Sequence, residues 1–324
     1  MKVTNNMRLP QAFVEAVSVE RHNKPGCYSA TTLNKGTKEI ILQERHWDDL
    51  TVDAADNVWA VFGTAVHKIF ESKDPSFLIA LFNEFLKAED ITDEEVAFCK
   101  RMLAKVKSGV ETESTFAEEK FDIAVSNSHV TGCVDSYDME HGEIFDWKTA
   151  SVFKVMKGDF SDWYRQGMTY AWLLTQNGFE VRLCRFIALL KDHSKSKAKT
   201  ESGYPQSPVF IYEFDVTPEE LEATGKRITD KIREIEYAET LADDEIEECS
   251  TEERWADPDK WAVMKEGRKT AVRVFDNEEQ ANLCKNQLGD NHYIEHRPAV
   301  SRKCADYCLC KNFCNFYKSQ IKGE

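Results

Sequence analysis

The sequence predicts an α/β fold, and three observations carry that expectation. Segments of helical period alternate along the chain with short apolar runs of strand period. The 324 residues are 42% hydrophobic and 31% charged, ordinary for a globular protein with a substantial core. No apolar run approaches the ~18–20 residues of a membrane span, and Met1–Glu20 lacks the apolar stretch of a signal peptide, so neither is expected.

Taken in order, residues up to about Asn34 read as an arm leading into a first helix. Asp56–Ser72 is predicted helical, with Val58, Phe62, Ala65 and Ile69 as its apolar stripe. Thr92-Asp-Glu-Glu95 is a capping box opening a helix that runs to about Lys107. The period then shortens: Phe116–Val125, His129–Glu140 and Glu143–Thr149 are predicted strands, the last two joined by a two-residue loop at His141-Gly142. Ser161 is placed to cap a helix reaching Asn177, with Gly178 just past its end. Val181–Leu190 and Val209–Val216 are further strands, and Thr217-Pro-Glu-Glu220 starts another helix. Trp261–Ala299 reads as a small strand–strand–helix–strand unit, with a turn at Glu266-Gly267 and Asp276 as helix cap. The expected domains are an N-terminal arm with the first elements (1–55), a core (56–250), a small α+β insert (255–299) and a cysteine segment (300–324).

The formal charge of −15 is unevenly spread. Glu213–Asp259 contributes −13 of it, leaving −2 for the rest, while Arg182–Lys199 holds six Lys+Arg against one acid. A locally basic segment on an acidic chain leaves phosphate binding open, although Lys191–Lys199 read alone is better taken as a solvated loop.

Of ten cysteines, six (Cys27, Cys99, Cys133, Cys184, Cys249 and Cys284) are scattered singly and read as small buried hydrophobes in a reducing compartment. The other four, Cys304, Cys308, Cys310 and Cys314, fall within eleven residues, flanked by Arg302, Lys303, Lys311 and Lys318. That density fits a metal or iron–sulfur site, and the basic flanks favour the thiolates that bind one. Four thiolates suffice for zinc; alternatively Cys304, Cys308 and Cys314 join a distant cysteine around a cluster.

The chemistry concentrates in Gly132-Cys-Val-Asp135 and Ile144-Phe-Asp146-Trp-Lys148. Strand alternation puts Asp146 and Lys148 on one face, Phe145 and Trp147 on the other. With Glu140 and Glu143 flanking the loop, Asp135 lies opposite Lys148 and diagonal to Asp146, so two carboxylates and an ammonium converge. Phosphodiester hydrolysis requires such a group: carboxylates hold Mg²⁺ or Mn²⁺, and a lysine orients water or stabilises the phosphorane. A lone Asp-x-Lys is more often a surface salt bridge. Two further pieces change that balance: Gly63-Thr-Ala-Val-His67 puts a glycine and an imidazole one turn apart, and Gln166-Gly-Met-Thr-Tyr170 puts an amide and a phenol at i, i+4.

In this order, over about Ser29–Leu190, the motifs resemble the PD-(D/E)xK nuclease superfamily in its RecB-type branch, which includes phage exonucleases and CRISPR-associated adaptation nucleases. The resemblance implies a restriction-endonuclease-like core: a central mixed sheet flanked by helices, here with the small α+β insert and a metal-bound, Cys-rich C-terminal segment. It implies His67, Asp135 and Asp146 as ligands of Mg²⁺ or Mn²⁺, with the Trp147 carbonyl as a further ligand. Lys148 becomes the catalytic lysine alongside Asp135 and Asp146, with Gln166 and Tyr170 as the accessory motif. Glu71 and Glu118 or Glu119 are candidates for outer roles. Cys304, Cys308, Cys310 and Cys314 are implied to hold a [4Fe–4S] cluster or Zn²⁺. Relatives with a cluster supply one cysteine early in the chain, and the early cysteine here is Cys27. Either Cys27 reaches across, or Cys310 completes the set, or the metal is zinc.

The activity implied is a metal-dependent DNA exonuclease acting on single- or double-stranded ends in recombination, repair or phage DNA processing. It would work in the cytoplasm of a bacterium or phage-infected host, alongside an annealing protein or helicase. A structure-selective endonuclease on the same core and a catalytically silent DNA-binding scaffold are the alternatives. The basic loop Lys191–Lys199 is expected to steer a strand, and Trp163 to stack bases.

Overall fold

The computed structural model describes residues 1–18, 24–71, 76–87, 91–108 and 115–322. In chain order the helices are α1 (Gln11–Val17), α2 (Thr37–Arg45), α3 (Val58–Glu71), α4 (Ser76–Phe85), α5 (Asp93–Ser108), α6 (Val152–Lys157), α7 (Ser161–Gln176), α8 (Lys195–Thr200), α9 (Pro218–Ala238), α10 (Glu278–Leu288) and α11 (Asn315–Lys322). The strands are β1 (Lys2–Thr4), β2 (Cys27–Ser29), β3 (Thr51–Asp53), β4 (Thr115–Val125), β5 (Ser128–Asp138), β6 (Glu143–Ala150), β7 (Leu183–Leu190), β8 (Val209–Asp215), β9 (Lys260–Lys265), β10 (Arg273–Phe275) and β11 (His292–Arg297). They form two compact units: Met1–Asn34 with Thr51–Glu236, and Lys35–Leu50 with Tyr237–Glu324.

The first unit is built on a mixed sheet in the order β2-β5-β6-β7-β8, with β4 also pairing β5. β6 and β7 run parallel over their full lengths; β7 and β8, and β4 and β5, run antiparallel. Alternation along β6 separates two environments as the sequence predicts. Phe145 and Trp147 pack with Ile187 against Phe82 and Phe85 of α4 and Cys99 and Leu103 of α5. The opposite face takes α7, whose Trp163 stacks on Phe186 at a centroid distance of 5.8 Å.

Two glycines set how closely α7 approaches. A Cβ at Gly167 would lie 2.8 Å from Phe214 Cζ and 2.9 Å from Phe186 Cε2. One at Gly132 on β5 would lie 2.6 Å from Leu173 Cδ1 and 3.0 Å from Tyr170 Cδ1. Both predicted capping boxes form: Thr92 and Glu95 exchange hydrogen bonds of 2.8 and 3.2 Å, as do Thr217 and Glu220 at 3.1 and 3.2 Å.

Several local expectations are corrected. The β5–β6 loop is the four-residue turn Met139–Gly142, with Asp138 paired to Glu143, so the register is displaced by two residues. Because side chains alternate with period two, this keeps every residue on its expected face but shifts its partner. Ser161 is the first helical residue of α7 rather than its cap; its N–H and hydroxyl donate to Asp159 Oδ1 at 3.3 and 2.8 Å. Asn277, not Asp276, caps α10, accepting from the Gln280 N–H at 2.9 Å. On α3 the predicted apolar stripe faces outward: Phe62, Ala65 and Ile69 are exposed, and Val66 is buried.

In the second unit β9 lies between β10 and β11 in a three-stranded antiparallel sheet, with α10 connecting β10 to β11. Ala262, Val263, Met264 and Ala281 form its small core. The turn after β9 places Gly267 at φ +76, a left-handed conformation that glycine adopts without strain. No described helix is long and apolar enough to cross a membrane.

Candidate active site and cysteine pocket

The candidate site residues gather where β5 changes partners. β4 pairs β5 along nearly its whole length, so β2 and β6 share the other edge. β2 pairs His129–Thr131 there and β6 pairs Ser136–Asp138, leaving Gly132–Asp135 between them. The pairing stops at Ser136 and Phe145, just before Asp135 and Asp146. Continued by one step, the register sets Asp135 across from Asp146, not Lys148 as expected from the shorter loop. The backbone at that gap is used by a side chain instead: Trp147 N–H donates to Asp135 Oδ2 at 2.8 Å.

Asp135 Oδ2 also lies 3.3 Å from His67 Nδ1, which α3 presents one turn beyond Gly63. That hydrogen bond raises the imidazole pKa above its usual value, against the opposing effect of burial. Asp146 is 1% exposed. Lys148 Nζ donates to both its oxygens at 2.7 Å, and Gln166 Nε2 donates to Oδ1 at 3.2 Å. Burial pushes the Asp146 carboxyl up to about 6, with Lys148 opposing and Asp135 reinforcing the shift. Gln166 Nε2 also donates to Tyr170 OH at 2.8 Å. Burial, with Asp146 nearby, holds the Tyr170 phenol well above its ordinary value. The i, i+4 pair thus reaches the carboxylate through Gln166, as one face of α7 laid on the sheet at Gly167.

The structure therefore brings together His67, Asp135, Asp146, Lys148, Gln166 and Tyr170, the six side chains the sequence singled out. Two carboxylates and an imidazole are a hard-donor set suited to a divalent cation. The side chains of Glu71 and Glu118 lie outside the described residues; Glu119 is exposed on β4 opposite Val134. Trp163 is 6% exposed and packed on Phe186, so it presents no face to a base. Exposed aromatics occur elsewhere: Trp59 on α3 is 57% exposed with Lys191 Nζ 4.0 Å above its ring, and Phe153 on α6 is 68% exposed.

Among the described residues, the one group that brings three such ligand atoms within 4.8 Å of one another is Asp138, Glu140 and His141. The sequence reading passed over this group. The turn itself accounts for much of it: Asp138 Oδ1 accepts from the Glu140 N–H at 3.1 Å and Oδ2 lies 3.1 Å from His141 Nδ1.

In the second unit, Cys304, Cys308, Cys310 and Cys314 line a single pocket together with Cys249. Cys308 and Cys310 sulfurs are 3.5 Å apart, and the Cys310 thiol donates to the Glu39 carbonyl at 3.8 Å. Lys38, Lys303, Lys311 and Arg254 line the same pocket. Five thiols lining one pocket with four cations and the carboxylates of Glu39 and Glu253 are a soft-donor set of the kind that zinc or an iron–sulfur cluster takes. Cys249, read from the sequence as a small hydrophobe, is the residue missed there; a cysteine 55 positions from the run carries no spacing signal. Cys27 lies on β2 in the first unit.

Comparison with known proteins gives one family. The sequence model of the PD-(D/E)XK nuclease superfamily matches residues 43–315. Curated proteins give no match. Among solved structures the chain is similar to SSO0001 (12% identity, TM-score 0.41, covering 69% of this chain and 85% of that one). It is also similar to an alkaline exonuclease from Laribacter hongkongensis (11% identity, TM-score 0.29, 50% and 79%). A third is a phage-related exonuclease from Haemophilus somnus 129PT (15% identity, TM-score 0.26, 48% and 79%).

Proposed function

The chain belongs to the PD-(D/E)XK nuclease superfamily, and from that premise we propose that it is a divalent-metal-dependent DNA exonuclease. The observation that carries this reading is the buried Asp146 carboxylate, held by Lys148 and Gln166 beside the Asp135–His67 pair. A catalytically silent scaffold would have no use for a buried carboxylate whose ionisation burial opposes; a hydrolytic centre does.

His67, Asp135, Asp146 and the Trp147 carbonyl would hold Mg²⁺ or Mn²⁺. Bound there, such an ion lowers the pKa of a water and offsets charge on the scissile phosphate. The protein supplies the rest. Trp147 N–H and His67 fix the orientation of Asp135, and Gln166, braced by Tyr170, fixes Asp146. Lys148 is the cation of the set: with the Asp146 oxygens taken up by a metal, its ammonium would be available to donate to a phosphate oxygen or orient the attacking water.

For a strand end at this centre Trp59 and Phe153 would offer the stacking surfaces that buried Trp163 cannot, and Lys191 would make a phosphate contact as expected of the basic loop. The pocket of cysteines would hold a [4Fe–4S] cluster or zinc.

The test is cleavage of linear DNA labelled separately at each 5′ and 3′ end, single- and double-stranded, with Mg²⁺ or Mn²⁺, alongside closed circles. Short labelled products from one end, with circles intact, are the expected result. Internal products from circles identify an endonuclease on the same core. No cleavage of any substrate by metal-loaded protein would overturn the catalytic reading.

A further inference from the structure

We propose that Cys249 is the fourth ligand of the metal held by Cys304, Cys308 and Cys314, and that Cys310 remains a thiol beside it. The inference rests on the reading that the cysteine pocket binds a metal, and it departs from both early-chain Cys27 and the run's own Cys310 as the completing residue.

Glu39, in the first turn of α2, distinguishes the two candidates. The N-terminus of α2 lacks a capping side chain, because Gly36 occupies the cap position. Its first amides therefore have no partner from the helix itself. The Glu39 carbonyl accepts from the Cys310 thiol at 3.8 Å, while the Cys249 sulfur lies against Gly36, the residue at the start of the same helix. A carbonyl oxygen engages the very hydrogen that a ligand sulfur has to give up, and among the described residues the Glu39 carbonyl takes it from Cys310 and not from Cys249. On this ground Cys249 is the ligand, and Cys310, whose hydrogen is on the Glu39 carbonyl, is a thiol 3.5 Å from Cys308.

The surroundings hold Cys249 in place. A Cβ at Gly36 would lie 2.5 Å from its sulfur, so only glycine allows this approach. Lys38, buried, donates from Nζ to the Ile246 carbonyl at 2.7 Å and fixes the strand of chain leading to Cys249. Lys303 pairs with Glu39 at 2.6 Å, joining the segment that carries Cys304 to the same helix. A metal bound by Cys249 and the later cysteines would close the loop containing β9, β10, α10 and β11, a link whose stabilising effect grows with loop length.

The test is metal content of the full chain purified without oxygen. Iron, zinc and acid-labile sulfide are measured with the visible spectrum for wild type, Cys249→Ala, Cys304→Ala, Cys310→Ala and Cys27→Ala. Sulfide with a broad visible band identifies an iron–sulfur cluster; zinc without sulfide identifies the other metal. Cys249→Ala and Cys304→Ala are expected to lose metal by at least about tenfold, whereas Cys310→Ala and Cys27→Ala retain it. Full retention in Cys249→Ala, or loss in Cys27→Ala, would overturn the assignment while leaving the metal site itself intact. Absence of iron, zinc and sulfide from wild type would instead overturn the underlying metal reading and this inference with it. Should Cys249→Ala fail to fold, Gly36→Ala decides, since it crowds that sulfur without removing any cysteine. A wild-type metal content and spectrum in Gly36→Ala would contradict the assignment; a depleted or altered site is expected.

Discussion

Gln166 donates through one nitrogen to both Asp146 and Tyr170, and so transmits the position of α7 to a carboxylate on β6. Its replacement by alanine is expected to lower cleavage by about 10–100-fold, with metal affinity weakened, since such orienting groups act through the ligand they hold. Steady-state rates against Mn²⁺ concentration would show it. A pH effect belongs to the same residues. Asp146 titrates near 6 and His67 above its usual value, and both must lose protons to serve as ligands. Metal affinity is therefore expected to rise with pH, and to be at least about tenfold weaker at pH 5.5 than at pH 7.5. Mn²⁺ titration at the two pH values measures it, and a pH-independent affinity would contradict the ligand assignment. Strand period made Asp146 and Lys148 legible on one face and helical spacing paired Gln166 with Tyr170, but that these join Asp135 and His67 in one site was implied by the family resemblance of the motifs in order. Cys249 was not legible, since its association with the C-terminal run depends on where α2 places Gly36 and Glu39.

At the scale of elements, the approach of α7 to the sheet decides whether that geometry exists. Gly167→Ala introduces a methyl within 2.9 Å of two phenylalanine rings. It is expected to destabilise the protein by about 1–3 kcal/mol and to lower activity more than Tm alone explains, as Gln166 lifts from Asp146. Thermal melting and cleavage rates on the same preparation separate the effects. The start of α7 is tied by Asp159, whose bonds to Ser161 hold its pKa near 2, below the ordinary carboxylate value of 3.8. A depressed carboxylate stabilises fully above the unfolded value and loses that contribution as pH falls toward the folded one. Asp159→Ala is accordingly expected to lower Tm modestly at pH 7, since the half-exposed carboxylate is screened by water, and the difference fades between pH 4 and pH 2. Melting curves of both proteins across that range check the sign. Element types were readable from period and capping boxes; the register of the β5–β6 hairpin was not. Two- and four-residue turns both fit Met139–Gly142, and both leave the carboxylates on one face. The outward stripe of α3 was misread for a related reason: an apolar face predicts burial only when something is known to cover it.

For the whole molecule, the charge distribution has to be reconciled with a polyanionic substrate. Most of the net −15 resides in Glu213–Asp259, while Lys191 sits over the exposed Trp59 on α3, the helix that carries His67. DNA binding is expected to weaken steeply with salt, and Lys191→Ala to reduce the slope of log K against log salt by about 0.7 on single strands. Fluorescence anisotropy across a salt series would detect this, and an unchanged slope would remove Lys191 from the strand path. The central claim is that Asp135, Asp146 and Lys148 form one hydrolytic centre, and a single-turnover comparison of wild type with Lys148→Ala on end-labelled DNA tests it most directly. With binding affinity measured on the same proteins, cleavage is expected to fall at least about 100-fold while affinity stays within a few-fold. Cleavage by Lys148→Ala at the wild-type rate would contradict the account.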